Sequence, residues 1–233
     1  REEINSLGEG HVRDLLRHHS VKLGSIACYG LGPFHLEEEF QLASRLGREV
    51  ILVTGSRGDR HATGAALKSE IKSFLQQLQP SIEAAEKNNG ILAIENHSNA
   101  IIRSPDSMRW FSDMINHDRV GIALAPHHLP QDAELIASLA RDLGPSLKFV
   151  YAQQYGKGSK EKLPKEEELL QMPGRGALDF GPLMRQLKSL RFSGPIEIFM
   201  HPVPRGVPIL GTARAITEEI VRAEQYLMST LSG

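Results

Sequence analysis

Several apolar runs in the sequence end on side chains that hold cations or move protons. Glu95, Asn96 and His97 follow "ILAI", His127 and His128 follow "GIALAP", and Gln153 and Gln154 follow "FVYA". Glu197 sits inside "PIEIFMHP", with His201 next and Arg205 in the turn "MHPVPRG". A carboxylate within or at the end of a buried strand needs a metal, a cation or a hydrogen-bond network to offset its desolvation. Glu95 and Glu197 are the most informative pair on this ground. Either alone also fits a glutamate paired with an arginine or a backbone amide. Both on one rim, with histidines between them, point to a site, because unusual ionisable groups cluster at sites.

The histidines are less specific. Strand side chains alternate, so at most one of His127 and His128 is expected to face the site. A histidine beside a proline turn, including His201, equally fits a cap or a packed loop residue. The only cysteine is Cys28, so an internal disulfide and a multi-cysteine zinc site are excluded, and any metal must use His, Asp or Glu. "TGSRGDRHATG" (54–64) offers backbone amides with Arg57 or Arg60 to an anion, without Walker or GxGxxG spacing. Arg205 offers a second contact for an anion or a hydroxyl-rich ligand, and a solvated surface arginine explains either stretch as well.

The elements that must bring these residues together are six β-type runs: 21–30, 49–56, 91–96, 120–126, 147–154 and 195–201. Most are continuous apolar stretches, as in strands covered on both faces. They alternate with amphipathic segments at 35–47, 64–89, 104–116, 129–144, 178–192 and 211–231, the pattern of a parallel sheet with crossover helices. Gly47, Gly90 and Gly144 fit helix C-caps, and Ser104 before Pro105 fits an N-cap. In a parallel α/β barrel all strand ends share one rim, which clusters residues a hundred positions apart. The polar segment 155–181 reads as a solvated insertion or as a cover over that rim.

The 233 residues, 40% hydrophobic and 24% charged, suffice for one barrel domain spanning 1–233. A net charge of −1, from 27 basic and 28 acidic side chains, gives no electrostatic reason to expect nucleic acid. No apolar run approaches the roughly 18–20 residues of a membrane span, and the charged, helix-like start is unlike a signal peptide, so a cytoplasmic protein without a membrane partner is expected.

"GILAIENHSN", a helix opening "SPDSM", "DRVGIALAPHHL" and the late "SGPIEIFMHP" together resemble the xylose isomerase-like TIM barrel superfamily, from about Val21 to the final helix. That superfamily includes sugar phosphate isomerases and epimerases. The resemblance implies an α/β fold, a TIM (β/α)8-type barrel, with a divalent cation (Mn²⁺, Mg²⁺, Co²⁺ or Zn²⁺) held by Glu, Asp, His and Glu from four strand ends. It implies that two glutamates, here Glu95 and Glu197, act as paired acid and base next to a carbonyl while the metal polarises substrate oxygens. It also implies a strand before the first helix, so the barrel is expected to lack its first strand in this chain, with an open seam that a homodimer would cover.

The sequence departs from the family pattern at two ligands. Ala125 occupies the place of the aspartate, with His128 at the following histidine, and Tyr151, Gln153 or Gln154 stands where a histidine is usual. Neutral amides are weak ligands for transition metals. The expected metal set is Glu95, His128 and Glu197, and the expected substrate contacts are His97, His127, Gln153, Gln154, His201 and Arg205. The leading expectation is a sugar or sugar-phosphate isomerase or epimerase; the alternative is a carbohydrate-binding or regulatory barrel that has lost catalysis. A DNA-repair endonuclease fits less well, because those use a fuller set of His, Asp and Glu ligands.

Overall fold

The structure, a computed structural model, describes residues 2–154 and 161–231. The first part of the polar insertion, 155–160, lies outside the described residues. Two short helices, α1 (Glu2–Leu7) and α2 (Glu9–His18), precede β1 (Ser25–Ala27). There follow α3 (Glu37–Leu46), β2 (Ile51–Gly55), α4 (Gly64–Gln77), α5 (Gln79–Lys87), β3 (Ile91–Glu95), α6 (Pro105–Met114) and β4 (Val120–Leu124). The chain continues through α7 (Ala133–Leu143), β5 (Leu147–Tyr151), α8 (Lys165–Glu168), α9 (Gly181–Ser189), β6 (Ile196–Glu197) and α10 (Ala213–Ser229).

All six strands are parallel and pair in chain order, β1 to β6, and the sheet curls into a partial TIM barrel with helices on its outer face. Period-two alternation splits the strand residues between two cores. Leu52, Leu92, Ile94, Ile122, Leu124 and Val150 face the helices, where Phe40, Phe74 and Phe111 are fully buried. Ile51, Val53, Ala93, Ala123, Ala125, Phe149 and Tyr151 face the lumen. Glu95, in register with Gly55 and Ala123, continues the lumen face of β3 at its C-terminal end. Glu197 is in register with Tyr151.

Each expected strand is present and shorter than its apolar run. The 64–89 segment is two helices, because Pro80 has no N–H for a continuous ladder and the break falls just before it at Leu78. Ser104 caps α6 in a reciprocal arrangement with Ser107. At the end of α5 the left-handed residue is Asn89 (φ 51°), not Gly90. Gly90 is required for packing instead: a Cβ there would sit 2.7 Å from the Phe40 ring. No helix among the described residues is long and apolar enough to cross a membrane.

Candidate functional site

A cavity of about 730 Å³ opens at the C-terminal ends of the strands. Glu95, His97, His127, His128, Gln153, Glu197, His201 and Arg205 all line it. The expected site residue it omits is Gln154, which is fully buried and points away. Gln154 Oε1 accepts from Leu178 N–H (3.0 Å) and Nε2 donates to Met172 O (3.2 Å), so it pins the returning chain. Alternation accounts for this: with Tyr151 and Gln153 toward the lumen, Gln154 must face outward.

Glu95 is 5% exposed. Burial pushes its carboxyl up to about 7, a hydrogen bond from Tyr29 pulls it down, and the charge of Glu197 pushes it up again. Burial also raises the Glu197 carboxyl. Tyr29 lies beyond β1 on the face of Ala27, and its hydroxyl is 2.7 Å from that of Tyr151. Burial first, then the neighbouring Glu95, holds both phenols above their ordinary range. They stay protonated, and in the contact between the two hydroxyls either can donate. Tyr29, Ser98, Asn99 and Phe199 are lining residues that the sequence reading did not single out; for Tyr29 the available signal was the alternation Ser25, Ala27, Tyr29.

His127 and His128 both face the site, contrary to the alternation argument. They leave the strand and lie in a 3₁₀ turn, Pro126–His128, where neighbouring side chains no longer alternate. Their Nε2 atoms stand 4.0 and 3.8 Å from Glu95 Oε1. The rings of His97, His128 and His127 pack in sequence, tilted to one another, with centroids 4.1 and 4.2 Å apart. His97 Nδ1 accepts from Asn99 N–H (3.1 Å), which leaves Nε2 to carry the proton of a neutral ring.

The turn is held by Asn96, which is fully buried. Its Oδ1 accepts from Ala125 N–H (2.7 Å) and its Nδ2 donates to Ala125 O (3.0 Å), a two-point clasp from the end of β3 onto the chain after β4. Ala125 itself places a methyl group in the lumen core.

Among the described residues, Glu95, His127 and His128 form a group whose ligand atoms all lie within 4.8 Å of one another. Bonds of about 2.0–2.2 Å to a common ion would set ligand atoms roughly 3.4 Å apart, so a small contraction brings this carboxylate and two imidazoles into range. The donor set, one carboxylate and two imidazoles, suits a borderline divalent ion such as zinc or cobalt. Glu197, expected as a ligand, lines the same cavity but stands outside this group, and His127, expected as a substrate contact, stands inside it.

At the other side of the mouth, Arg205 Nη2 lies 2.8 Å from His201 Nε2. Guanidinium only donates, so this ring nitrogen accepts and the proton sits on Nδ1. Burial, then the charge of Arg205, lowers the His201 value. In the glycine-containing loop at 54–64 two backbone amides are already taken by carboxylates. Its Asp59 N–H donates to Glu70 Oε2 (3.0 Å) and its His61 N–H to Asp59 Oδ1 (2.8 Å).

Solved structures with the same fold share little sequence with this chain. The apo 3-keto-D-glucoside 4-epimerase YcjR from E. coli has a TM-score of 0.67 at 14% identity, over 93% of this chain and 84% of that one. D-psicose 3-epimerase in the presence of D-fructose has a TM-score of 0.69 at 12% identity, over 100% and 87%. The IOLI protein with a bound zinc atom has a TM-score of 0.65 at 15% identity, over 99% and 84%. No curated protein sequence matches the chain. The family model described as xylose isomerase-like TIM barrel matches residues 34–220, most of the chain and all of the strands after β1, and the chain belongs to that family.

Proposed function

We propose that this protein is a sugar isomerase or epimerase that moves a proton at the carbon next to a carbonyl, with Glu95 and Glu197 as the acid-base pair. The observation that carries this reading is that two carboxylates raised by burial, from strands three apart in a curled sheet, line one cavity. Moving a proton at such a carbon with inversion needs a base on one face and an acid on the other. In the metal-free site burial holds the Glu95 carboxyl up to about 7, and a cation bound beside it would favour the carboxylate that acts as base. Tyr29 fixes the Glu95 carboxylate by donating to it, and the Tyr151 and Phe199 rings, 6.4 Å apart, provide an apolar wall against water. Glu95, His127 and His128 would hold a divalent cation, which when bound polarises substrate oxygens. His97 Nε2–H and the guanidinium of Arg205 are the donors placed to orient a polyhydroxylated substrate.

The structural neighbours named as sugar epimerases support the substrate class. The test is deuterium incorporation from heavy water into D-allulose, D-tagatose and D-fructose by metal-supplemented protein. Label is expected at the carbon beside the carbonyl, falling about 10²–10⁴-fold in Glu95→Gln or Glu197→Gln. Full exchange in both variants would sink the assignment.

A second reading, a carbohydrate-binding barrel without catalysis, is favoured by the methyl group of Ala125 where the resemblance expects a carboxylate. Metal-free protein that binds these sugars without exchanging their protons would select it.

A further inference from the structure

An amide side chain has a donor end and an acceptor end, so a chain of amides anchored on backbone groups has a single polarity. Gln171, in the 3₁₀ turn Leu169–Gln171, is fully buried. Its Nε2 donates to the carbonyls of Glu168 and His201, both at 3.1 Å, and its Oε1 accepts from His201 N–H at 3.3 Å. Carbonyls cannot donate and an N–H cannot accept, so this amide has one orientation. Its Oε1 also takes the Nε2 of Gln153 at 2.7 Å. One N–H of the Gln153 amide is therefore committed to Gln171, which fixes the orientation of that amide. Gln153 lines the cavity, and among the described residues no donor is placed on its Oε1.

The anchor is itself braced. Glu168, fully buried, accepts from Val203 N–H (3.1 Å) and from Lys165 Nζ (2.8 Å), and Lys165 donates onward to Val203 O (3.2 Å). The β5 and β6 ladder has only two register pairs, so above it these side chains hold the strand ends together.

We infer that Gln153 Oε1 is a fixed acceptor for a substrate hydroxyl, and that Gln171, which touches no substrate, is the positioning residue that sets this polarity. The inference rests on the sugar reading above and adds a rule of selection. A sugar presenting a hydroxyl at this point is retained. One presenting a carbonyl oxygen, or a deoxy carbon, leaves the Gln153 carbonyl opposed or unpaired. A histidine here could donate or accept at the same atom according to its tautomer, whereas the Gln153 amide, held in one orientation by Gln171, keeps its oxygen as an acceptor.

Side-chain amide NMR on the full chain labelled with ¹⁵N-glutamine reads the polarity without a ligand. The Gln153 NH₂ pair is expected to be protected from exchange in the wild type and to lose protection in Gln171→Met. An unprotected pair in the wild type overturns the inference. Calorimetry with D-allulose and its monodeoxy analogues reads the selection. One analogue is expected to bind about three- to tenfold more weakly than the parent, and the gap is expected to close in Gln153→Met, which leaves the backbone contacts of Gln171 intact. Equal affinities for all analogues on the wild type, or a gap that Gln153→Met leaves unchanged, overturn it. If none of D-allulose, D-tagatose and D-fructose binds, the sugar reading fails, and the amide measurement still decides the polarity of Gln153.

Discussion

The hydroxyls of Tyr29 and Tyr151, 2.7 Å apart, join the turn after β1 to the end of β5 across the lumen. Because Tyr29 also donates to Glu95, the buried carboxylate ends a chain of two phenols. Tyr29→Phe removes the one hydrogen bond that favours its charged form. In metal-stripped protein the Glu95 carboxyl should then titrate above its wild-type value of about 7. A ¹³C-carboxyl NMR titration checks this, and an unmoved midpoint would contradict it.

The same carboxyl makes a linkage prediction. Its folded value, about 7, lies above its ordinary 4.5, so the native state binds the proton more tightly than the unfolded chain. Stability from this group is full below pH 4.5 and falls as pH rises to about 7. At pH 8, metal-stripped Glu95→Gln should exceed the wild type by about 3 kcal/mol in urea unfolding, and the two should converge near pH 4.

Glu219 gives the opposite slope. Burial alone would raise its carboxyl, but Arg175 (2.7 and 2.6 Å) and Arg222 (3.0 and 2.6 Å) outweigh that and bring it down to about 2. Its contribution is present above the unfolded value near 4.5 and is lost as pH falls through about 2. Both arginines are about a third exposed or more, so solvent screening discounts the gain to about 2 kcal/mol. Glu219→Gln should lose about that much at pH 7 and little at pH 2, measured by chemical denaturation.

Zinc titrated into chelator-treated protein should bind once per chain. His127→Ala and His128→Ala should each weaken it by more than the ~10–100-fold expected for loss of an outer-shell partner. His97→Ala should fall within or below that range, since Asn99 N–H already occupies its Nδ1. Equal losses for all three would mean that the group is not the binding site.

Ala125→Asp should tighten zinc further by adding a carboxylate at a lumen position just after the end of β4. Without metal it should destabilise the fold, because the new charge is buried beside Glu95. Isothermal titration and melting curves with and without zinc should therefore move in opposite directions.

The strands and the rim were legible because they rest on local pattern. Apolar runs gave β2 to β5 almost in full, and their polar ends supplied five of the residues that line the cavity, with Glu197, His201 and Arg205 coming from the last run and the turn after it. The errors share a physical cause. His127 and His128 were assigned by strand alternation, yet the strand ends at Leu124 and a turn governs them. Gln154 was grouped with Gln153, although alternation applied there would have separated them. Tyr29 drew no attention because its partners are 66 and 122 residues away, a contact that only sheet closure creates. Gln171 was hidden in a polar stretch that read as solvated, because burial of a glutamine depends on carbonyls supplied from His201.

The Asn96 clasp separates backbone from side chain at position 125. The backbone at 125 is held by its neighbour's amide and not by its own side chain, so the residue there can change without moving the turn that carries both histidines. Position 125 is therefore a place where the side chain can be exchanged against an unchanged backbone.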